Sequence, residues 1–159
     1  MPRRKNAFTL VELLAVVAIS GTLLLVALPA VLGALVNRSL YGAAHQMAAD
    51  IRTWQQRALA SMDENGIYLI LFDTSNEVYH LMYNYKVTET RRLPVYLDLE
   101  ATNFPPSGYE LRFDLKGVPN AGGTVTLRER LTGRRYYVIV APVTGRVRVS
   151  PSPPSGGDY

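Results

Sequence analysis

The feature that most constrains this chain is a long apolar run near its N-terminus. From Phe8 to Val36 the sequence carries a single charged side chain, Glu12. The run is longer than the roughly 20 residues that a helix needs to cross a bilayer. Arg3, Arg4 and Lys5 precede it, and positive charge on that side holds an N-terminus in the cytoplasm. We therefore expect one membrane-spanning helix in the inner membrane, with the rest of the chain outside.

Two other kinds of N-terminal segment share this pattern. A secretory signal peptide also has a basic start and an apolar core, but its core is shorter than this run. A signal peptide also ends at a cleavage site of the Ala-x-Ala type, and Leu28–Ala30 is a weak match to one. An uncleaved signal anchor remains open as an alternative.

A helical pattern continues beyond the membrane run. Apolar side chains recur at steps of three or four, which places them on one helix face: Leu40, Ala44, Met47, Ile51, Trp54, Ala58 and Met62. Charged residues such as Asp50 and Arg57 fall on other faces, and Asn65-Gly66 supplies a C-terminal stop. The pattern predicts one helix from about residue 8 to 63, bent or locally unwound at Pro29 and Gly33.

After Gly66 the apolar pattern alternates with a period of two, which indicates strands. Six or seven short strands are expected, in the ranges 67–73, 77–85, 94–100, 109–115, 124–130, 135–141 and 143–150; the third is either an edge strand or an extended loop. The first two form a hairpin around residues 74–76. The fold class is therefore α+β, a long N-terminal helix packed on an antiparallel β-sheet domain.

These patterns divide the chain into five segments. They are a basic leader (1–7), a transmembrane helix segment (8–36), an amphipathic continuation of the helix (37–63), a β-rich globular domain (64–150) and a disordered tail (151–159), which is rich in Pro, Ser and Gly.

Catalytic chemistry finds little support in the sequence. The chain has no cysteine, which excludes disulfides, thiolate metal sites and cysteine nucleophiles. His45 and His80 lack a second metal ligand at a suitable spacing, and no Ser/His/Asp arrangement or phosphate-binding glycine loop is visible. We expect a protein that is not an enzyme and that carries no metal or other cofactor.

The N-terminus resembles the class III signal of type IV pilins and pseudopilins. The resemblance rests on the basic leader, the sequence Phe-Thr-Leu-Val-Glu-Leu-Leu from Phe8 to Leu14, and Pro29. It implies that a prepilin peptidase cuts between Ala7 and Phe8 and methylates the new amino terminus. The family usually has glycine where this chain has Ala7. Glu12 and Pro29 fall at the fifth and twenty-second mature positions, where the family often has these residues and where they serve assembly.

Three segments of the C-terminal half resemble the GspH/FimT branch of minor pilins and pseudopilins. They are Phe113–Gly117, Gly122–Leu127 and Thr144–Arg148. The resemblance implies a low-abundance subunit at or near the tip of a type IV pilus or a type II secretion pseudopilus. Its implied partners are other pilins or pseudopilins, the prepilin peptidase, and inner-membrane lipid before assembly.

Glu12 has two compatible interpretations. A carboxylate in the first helical turn is favoured by the positive end of the helix dipole. After a cut before Phe8, a free amine also becomes available, and a buried carboxylate is tolerable when a cation pairs with it. In the fibres of the family, Glu12 would meet the amino terminus of the adjacent subunit.

A second candidate site is the arginine pair of Gly145-Arg146-Val147-Arg148. Alternation places Arg146 and Arg148 on one strand face, about 6.5–7 Å apart, close to the spacing of successive phosphates on a DNA strand. Some FimT-branch members use a glycine-arginine-x-arginine motif to bind DNA during uptake, and Arg134 and Arg135 could extend the patch if the strands pair. DNA binding therefore stands as the alternative to an ordinary solvated strand face.

Overall fold

The computed structural model of the chain describes residues 9–63 and 65–155. The leader and the expected cut between Ala7 and Phe8 lie outside these residues, as does the end of the tail from residue 156. The chain divides into two compact units, one up to Val36 and one from Asn37 onward.

The first element is a single α-helix, α1, which spans Leu10–Leu59. The helix is continuous through Pro29 and Gly33, so the local unwinding considered at these positions is absent. Its segment Leu10–Leu28 has a mean hydropathy of 2.5 and is long and apolar enough to cross a membrane. Every residue of that segment is exposed within the chain.

The predicted end of the helix is four residues too late. Helical structure stops at Leu59, and Met62, expected on the buried face, is fully exposed. Ser61 and Asp63 instead form short side-chain turns, in which Ser61 Oγ accepts from the Asp63 amide and Asp63 Oδ1 accepts from the Asn65 amide. Ser and Asp side chains compete with helical hydrogen bonds in this way, which explains the earlier end.

In the described part of the chain eight strands follow the helix, one more than the largest number predicted. They are β1 (Tyr68–Asp73), β2 (Val78–Tyr83), β3 (Lys86–Arg92), β4 (Leu97–Thr102), β5 (Glu110–Phe113), β6 (Gly123–Glu129), β7 (Arg135–Val140) and β8 (Val147–Ser150).

The strands form two four-stranded antiparallel sheets. Sheet A has the order β3-β2-β1-β5 and sheet B has the order β4-β6-β7-β8. The hairpin predicted around residues 74–76 is the β1–β2 connection, with Asp73 opposite Val78. The range 94–100, predicted to be either an edge strand or an extended loop, contains the start of β4, which is an edge strand of sheet B.

The strand that the sequence did not predict is β3. All but one of its seven residues are exposed, so it lacks the alternation of buried and exposed side chains that marks a strand. It is joined to β2 by a two-residue turn, Asn84-Tyr85, in which both residues have positive φ. Turns of this kind match the twist of a hairpin and fix its register.

One hydrophobic core joins the second half of α1 to both sheets. Six of the seven predicted face residues, all except Met62, are buried there. Sheet A contributes residues such as Ile70 and Leu81, and sheet B contributes residues such as Leu127 and Val138. Trp54 also donates from Nε1 to the Met82 carbonyl at 3.2 Å, so its buried polar atom is satisfied.

The buried carboxylate of Asp50 connects α1 to sheet A through polar contacts. Asp50 is 8% exposed and accepts hydrogen bonds from the Tyr79 hydroxyl at 2.6 Å and from Gln46 at 2.9 Å. The Nε of Arg91, on β3, lies 3.4 Å from the same carboxylate. Burial, together with the hydrogen bond to Asp50, raises the pKa of Tyr79 far above its usual value, so this hydroxyl stays a donor.

The contact between Tyr79 and Asp50 gives a direct stability prediction. Tyr79→Phe removes one donor from a buried carboxylate, which should lower the free energy of unfolding by about 1–2 kcal/mol. Tyr109→Phe is the matched control, because Tyr109 is 50% exposed, and it should change stability by less than about 0.5 kcal/mol. Urea unfolding of the two variants in the same detergent measures the difference. Equal stabilities would show that the hydroxyl contributes nothing.

Candidate functional site

The first candidate site is the start of α1. The Glu12 amide donates to Thr9 Oγ1 at 3.2 Å, and the Leu13 amide donates to the Thr9 carbonyl at 3.2 Å. Because the helix begins at Leu10, Thr9 is its N-cap residue and Glu12 is its third residue. Threonine followed three residues later by glutamate is the capping-box pattern. The capping-box pattern is visible in the sequence, although the prediction for Glu12 used only its place in the first helical turn and its pairing with an amine.

This position reduces the cost of a charge in an apolar helix. A carboxylate at a bilayer centre costs roughly 2.5–3.5 kcal/mol. In the first turn, unpaired backbone N–H groups and the positive end of the helix dipole favour a negative charge instead. Glu12 is exposed, so its carboxylate is open to a cation from outside the chain.

Of the other residues predicted for assembly and processing, Pro29 lies within α1, whereas Ala7 and Phe8 are outside the described part of the chain. Their roles remain predictions.

The second candidate site is the arginine pair at β8. Arg146 and Arg148 are both exposed, and the β7–β8 register places Arg148 opposite Ile139. The Arg146 carbonyl accepts from the Ala141 amide at 3.0 Å, just beyond the end of the ladder. The two arginines therefore lie beside the C-terminal end of β7.

Arg135 lies at the other end of β7. Ile139 is four positions further along the strand, or about 13 Å away at the rise of a strand. Arg135 donates through Nε and Nη2 to the Glu100 carboxylate at 2.6 and 2.7 Å. The hydrogen bond from Arg135 lowers the pKa of Glu100, which keeps this carboxylate ionised. Strand pairing thus does not bring Arg135 beside Arg146 and Arg148, and Arg134 precedes β7 altogether.

Glu129, the last residue of β6, makes its hydrogen bonds within the β6–β7 turn. It has no exposed surface and accepts hydrogen bonds from the Leu131 and Thr132 amides and from the Thr132 hydroxyl. The Thr132 hydroxyl contributes most to lowering the pKa of the Glu129 carboxyl. Its hydrogen bonds therefore stabilise the β6–β7 turn.

The glycine of the arginine motif has a structural role of its own. Gly145 has a φ of +62°, and a Cβ atom there would collide with the Gln55 side chain of α1. Gly117, from the first of the three C-terminal segments, has a φ of +69° and would place a Cβ 2.8 Å from Leu59 Cγ. Gln55 Nε2 donates to the Gly117 carbonyl at 2.7 Å. Two separate glycine turns therefore converge on the last turns of α1.

The described residues give no indication of a metal site. They contain no cluster of three or more His, Asp or Glu side chains that could hold a metal ion. His45 is exposed beside the Tyr41 ring, with 4.2 Å between ring centroids, and His80 Nδ1 lies 2.9 Å from the Thr90 hydroxyl.

Comparison with known proteins gives one family match and several structural matches. Residues 2–28 match the prokaryotic N-terminal methylation motif. No curated protein sequence matches the chain.

The structural matches include a minor pseudopilin and a type IV minor pilin. The minor pseudopilin EpsH from the type 2 secretion system of Vibrio cholerae matches with a TM-score of 0.56 and 13% identity, over 70% of this chain and 96% of that one. The type IV minor pilin FimU of Pseudomonas aeruginosa matches with a TM-score of 0.55 and 12% identity, over 72% and 90% of the two chains. At these identities the matches show the fold.

The chain thus combines a prokaryotic N-terminal methylation motif, a long apolar helix and an α+β fold similar to those of EpsH and FimU. The motif and the structural matches together support a minor pilin or minor pseudopilin. They do not support the DNA-binding alternative.

The glycine of the arginine motif can be tested against a second glycine with the same backbone conformation. Gly133 has a φ of +70° and open space around the position of a Cβ, so Gly133→Ala reports the cost of the conformation alone. That cost is about 1 kcal/mol. Gly145→Ala should cost about 1–2 kcal/mol more, because the methyl group also displaces Gln55. Thermal or urea unfolding of the two variants measures the difference, and equal losses would exclude a role for the contact with α1.

Proposed function

We propose that this chain is a minor pilin or pseudopilin, a structural subunit assembled at or near the tip of a type IV pilus or a type II secretion pseudopilus. The observation that carries the proposal is the exposed apolar segment Leu10–Leu28 of α1, which lies within the residues that match the methylation motif.

The apolar half of α1 needs an environment other than water. Side chains such as Leu25 and Val26 are 76% and 80% exposed within the chain. Contiguous apolar surface of this kind marks a membrane segment or an interaction surface. A pilin-like subunit uses both in succession: lipid surrounds the helix before assembly, and the helices of other subunits surround it in the fibre.

The leader sets the orientation of the membrane-bound form. Arg3, Arg4 and Lys5 keep the N-terminus in the cytoplasm, so the domain from Asn37 onward lies outside the inner membrane. Prepilin peptidase then cuts between Ala7 and Phe8 and methylates the amine of Phe8. Alanine is small enough to replace the glycine that usually precedes the cut.

Cleavage gives Glu12 a partner. The new amine of Phe8 is positively charged near neutral pH if its pKa stays close to the roughly 7.7–8.0 of a free amine. Glu12, exposed at the start of α1, pairs with the amine of the adjacent subunit as the helices pack. The same carboxylate is stabilised in the isolated subunit by the positive end of its own helix.

The cheapest test of this function is the N-terminus of the mature protein. Mass spectrometry of the chain purified from a host with its prepilin peptidase should find a start at N-methylated Phe8. In a host without the peptidase the chain should keep its leader. An intact leader in both hosts would favour an uncleaved membrane-anchored domain and contradict the proposal.

The role of Glu12 can be separated from helix capping with a pair of variants. Thr9→Ala removes the N-cap oxygen and keeps the carboxylate, at a cost of about 1 kcal/mol to the helix start. Glu12→Leu keeps the N-cap and removes the charge. We expect both chains to insert into the membrane, because neither change makes the run less apolar.

Incorporation into fibres should then differ. Glu12→Leu should be largely absent from sheared fibres, whereas Thr9→Ala should be incorporated at near wild-type levels. Immunoblots of the membrane and fibre fractions measure both. Normal incorporation of Glu12→Leu would remove the pairing role, and equal defects in the two variants would assign Glu12 to helix capping.

A further inference from the structure

The two sheets of the C-terminal domain have four edges, and the backbone of three of them receives at least one hydrogen bond from another part of the chain. At β5 the Asn120 side chain accepts from the Arg112 amide at 2.8 Å, and the Asn120 amide donates to the Arg112 carbonyl at 2.9 Å. At β4 the Leu99 amide donates to a Glu77 carboxylate oxygen at 2.6 Å. At β8 the Val147 carbonyl accepts from Arg52 at 2.8 Å.

The fourth edge, the outer side of β3, is open. The Leu93 amide donates to the Glu77 carbonyl, and Arg92 and Thr90 lie opposite Val78 and His80. In an antiparallel ladder, backbone groups alternate between facing the neighbouring strand and facing away. This phase directs the backbone N–H and C=O groups of Thr90 and Arg92 away from β2. Among the residues that the structure describes, none bonds to them from that side.

Charge makes this edge a poor partner for itself. β3 reads Lys-Val-Thr-Glu-Thr-Arg-Arg, with three basic residues and one acidic residue. A pair of copies would bring six basic and two acidic side chains together, a net charge of +4. Like charges directly opposite one another destabilise a strand pair. Charged edges are one way in which sheets avoid aggregation.

The same charges suit an acidic partner. Arg91 is already compensated by Asp50 and Glu89, through contacts of 3.4 and 2.8 Å. Lys86 and Arg92, at the two ends of β3, have no carboxylate within ion-pair distance among the described residues. An extended segment with carboxylates near both ends would neutralise the charges of Lys86 and Arg92. Its backbone would form hydrogen bonds with the outward-facing groups of β3.

A groove beside β3 gives such a segment a place for a side chain. It has a volume of about 360 Å³ and lies between α1 and the C-terminal end of β3. Gly42 and Ala43 on the helix and Leu93-Pro94 after the strand form part of its wall. On the helix side Gly42 and Ala43 leave room for a side chain, and Ser39 and Gln46 add polar groups to the wall, so a small side chain of an added strand fits there.

We propose that the outer edge of β3 is a docking site for an extended acidic segment of another subunit, which adds a fifth strand to sheet A. Backbone hydrogen bonds to Thr90 and Arg92 provide the affinity, as in other cases of strand addition. Lys86 and Arg92 select for carboxylates. The biological setting rests on the proposed function, because a fibre subunit needs lateral partners, but the binding chemistry does not.

The test uses the full-length chain in detergent and two fluorescent peptides. One is a short peptide with glutamates near both ends and threonine and valine between them, and the other has lysine in place of every glutamate. Fluorescence anisotropy at low salt should show binding of the acidic peptide at least about tenfold tighter than that of the basic peptide. Hydrogen–deuterium exchange should show new protection at the amides of Thr90 and Arg92.

A proline substitution tests the outward-facing N–H of β3 without disturbing the hydrogen bonds that pair β3 with β2. Thr90→Pro removes an N–H that faces away from β2, so the β2–β3 ladder keeps its hydrogen bonds. It should weaken binding of the acidic peptide by about tenfold or more. Thr90→Ala is the matched control: it loses the same hydroxyl contact with His80 but keeps the amide, and it should bind as the wild type does.

A charge variant keeps the proposal testable if Thr90→Pro does not fold. Lys86→Glu combined with Arg92→Glu leaves the backbone unchanged and should reverse the preference between the two peptides. Binding that survives Thr90→Pro in a folded chain, or no binding of the acidic peptide, would overturn the proposal. Self-association that Thr90→Pro abolishes would identify a second copy as the partner instead.

These outcomes are independent of the proposed function. Peptide binding requires neither cleavage before Phe8 nor Glu12. A chain that is processed and incorporated normally but binds no peptide contradicts only the β3 site, whereas a chain that binds the peptide but keeps its leader contradicts only the proposed function.

Discussion

The burial of one face of α1 against two sheets is the interaction on which the rest of the domain depends. Residues from Leu40 to Ala58 on this face have at most 2% of their surface exposed. Each large side chain buried there contributes about 1.5–3 kcal/mol by removal from water. Without the helix, sheets A and B would each expose an apolar face. The helix thus carries the apolar segment Leu10–Leu28 in its first half and, through its second half, forms the centre of the domain core.

Polar contacts from α1 then fix which parts of the sheets it meets. Asp50 is bonded to Tyr79, Arg52 to the edge of β8, and Gln55 to the turn at Gly117. Such hydrogen bonds add little net stability, but each is costly to leave unmade in a buried setting. They specify one arrangement among the many that a purely apolar face would allow. Gly145 belongs to this arrangement, because a side chain there would displace Gln55.

The sequence predicts elements well where one physical signal dominates. The hairpin of β1 and β2 and the alternating strands β5, β6 and β7 follow from the period of their apolar residues. The same signal fails at β3, because an edge strand with exposed side chains has no apolar period. It also fails at Met62, where local side-chain hydrogen bonds at Ser61 and Asp63 end the helix before its apolar pattern ends.

The sequence by itself determined the processing motif, the apolar run, the buried helix face and the α+β class, since these depend on residues close together in the chain. Only the tertiary structure decided the division into two sheets, the separation of Arg135 from Arg146 and Arg148, and the open edge of β3. Strand order and register depend on which distant residues pair. The period of a strand shows which side chains are buried, but it does not show which strand lies beside it.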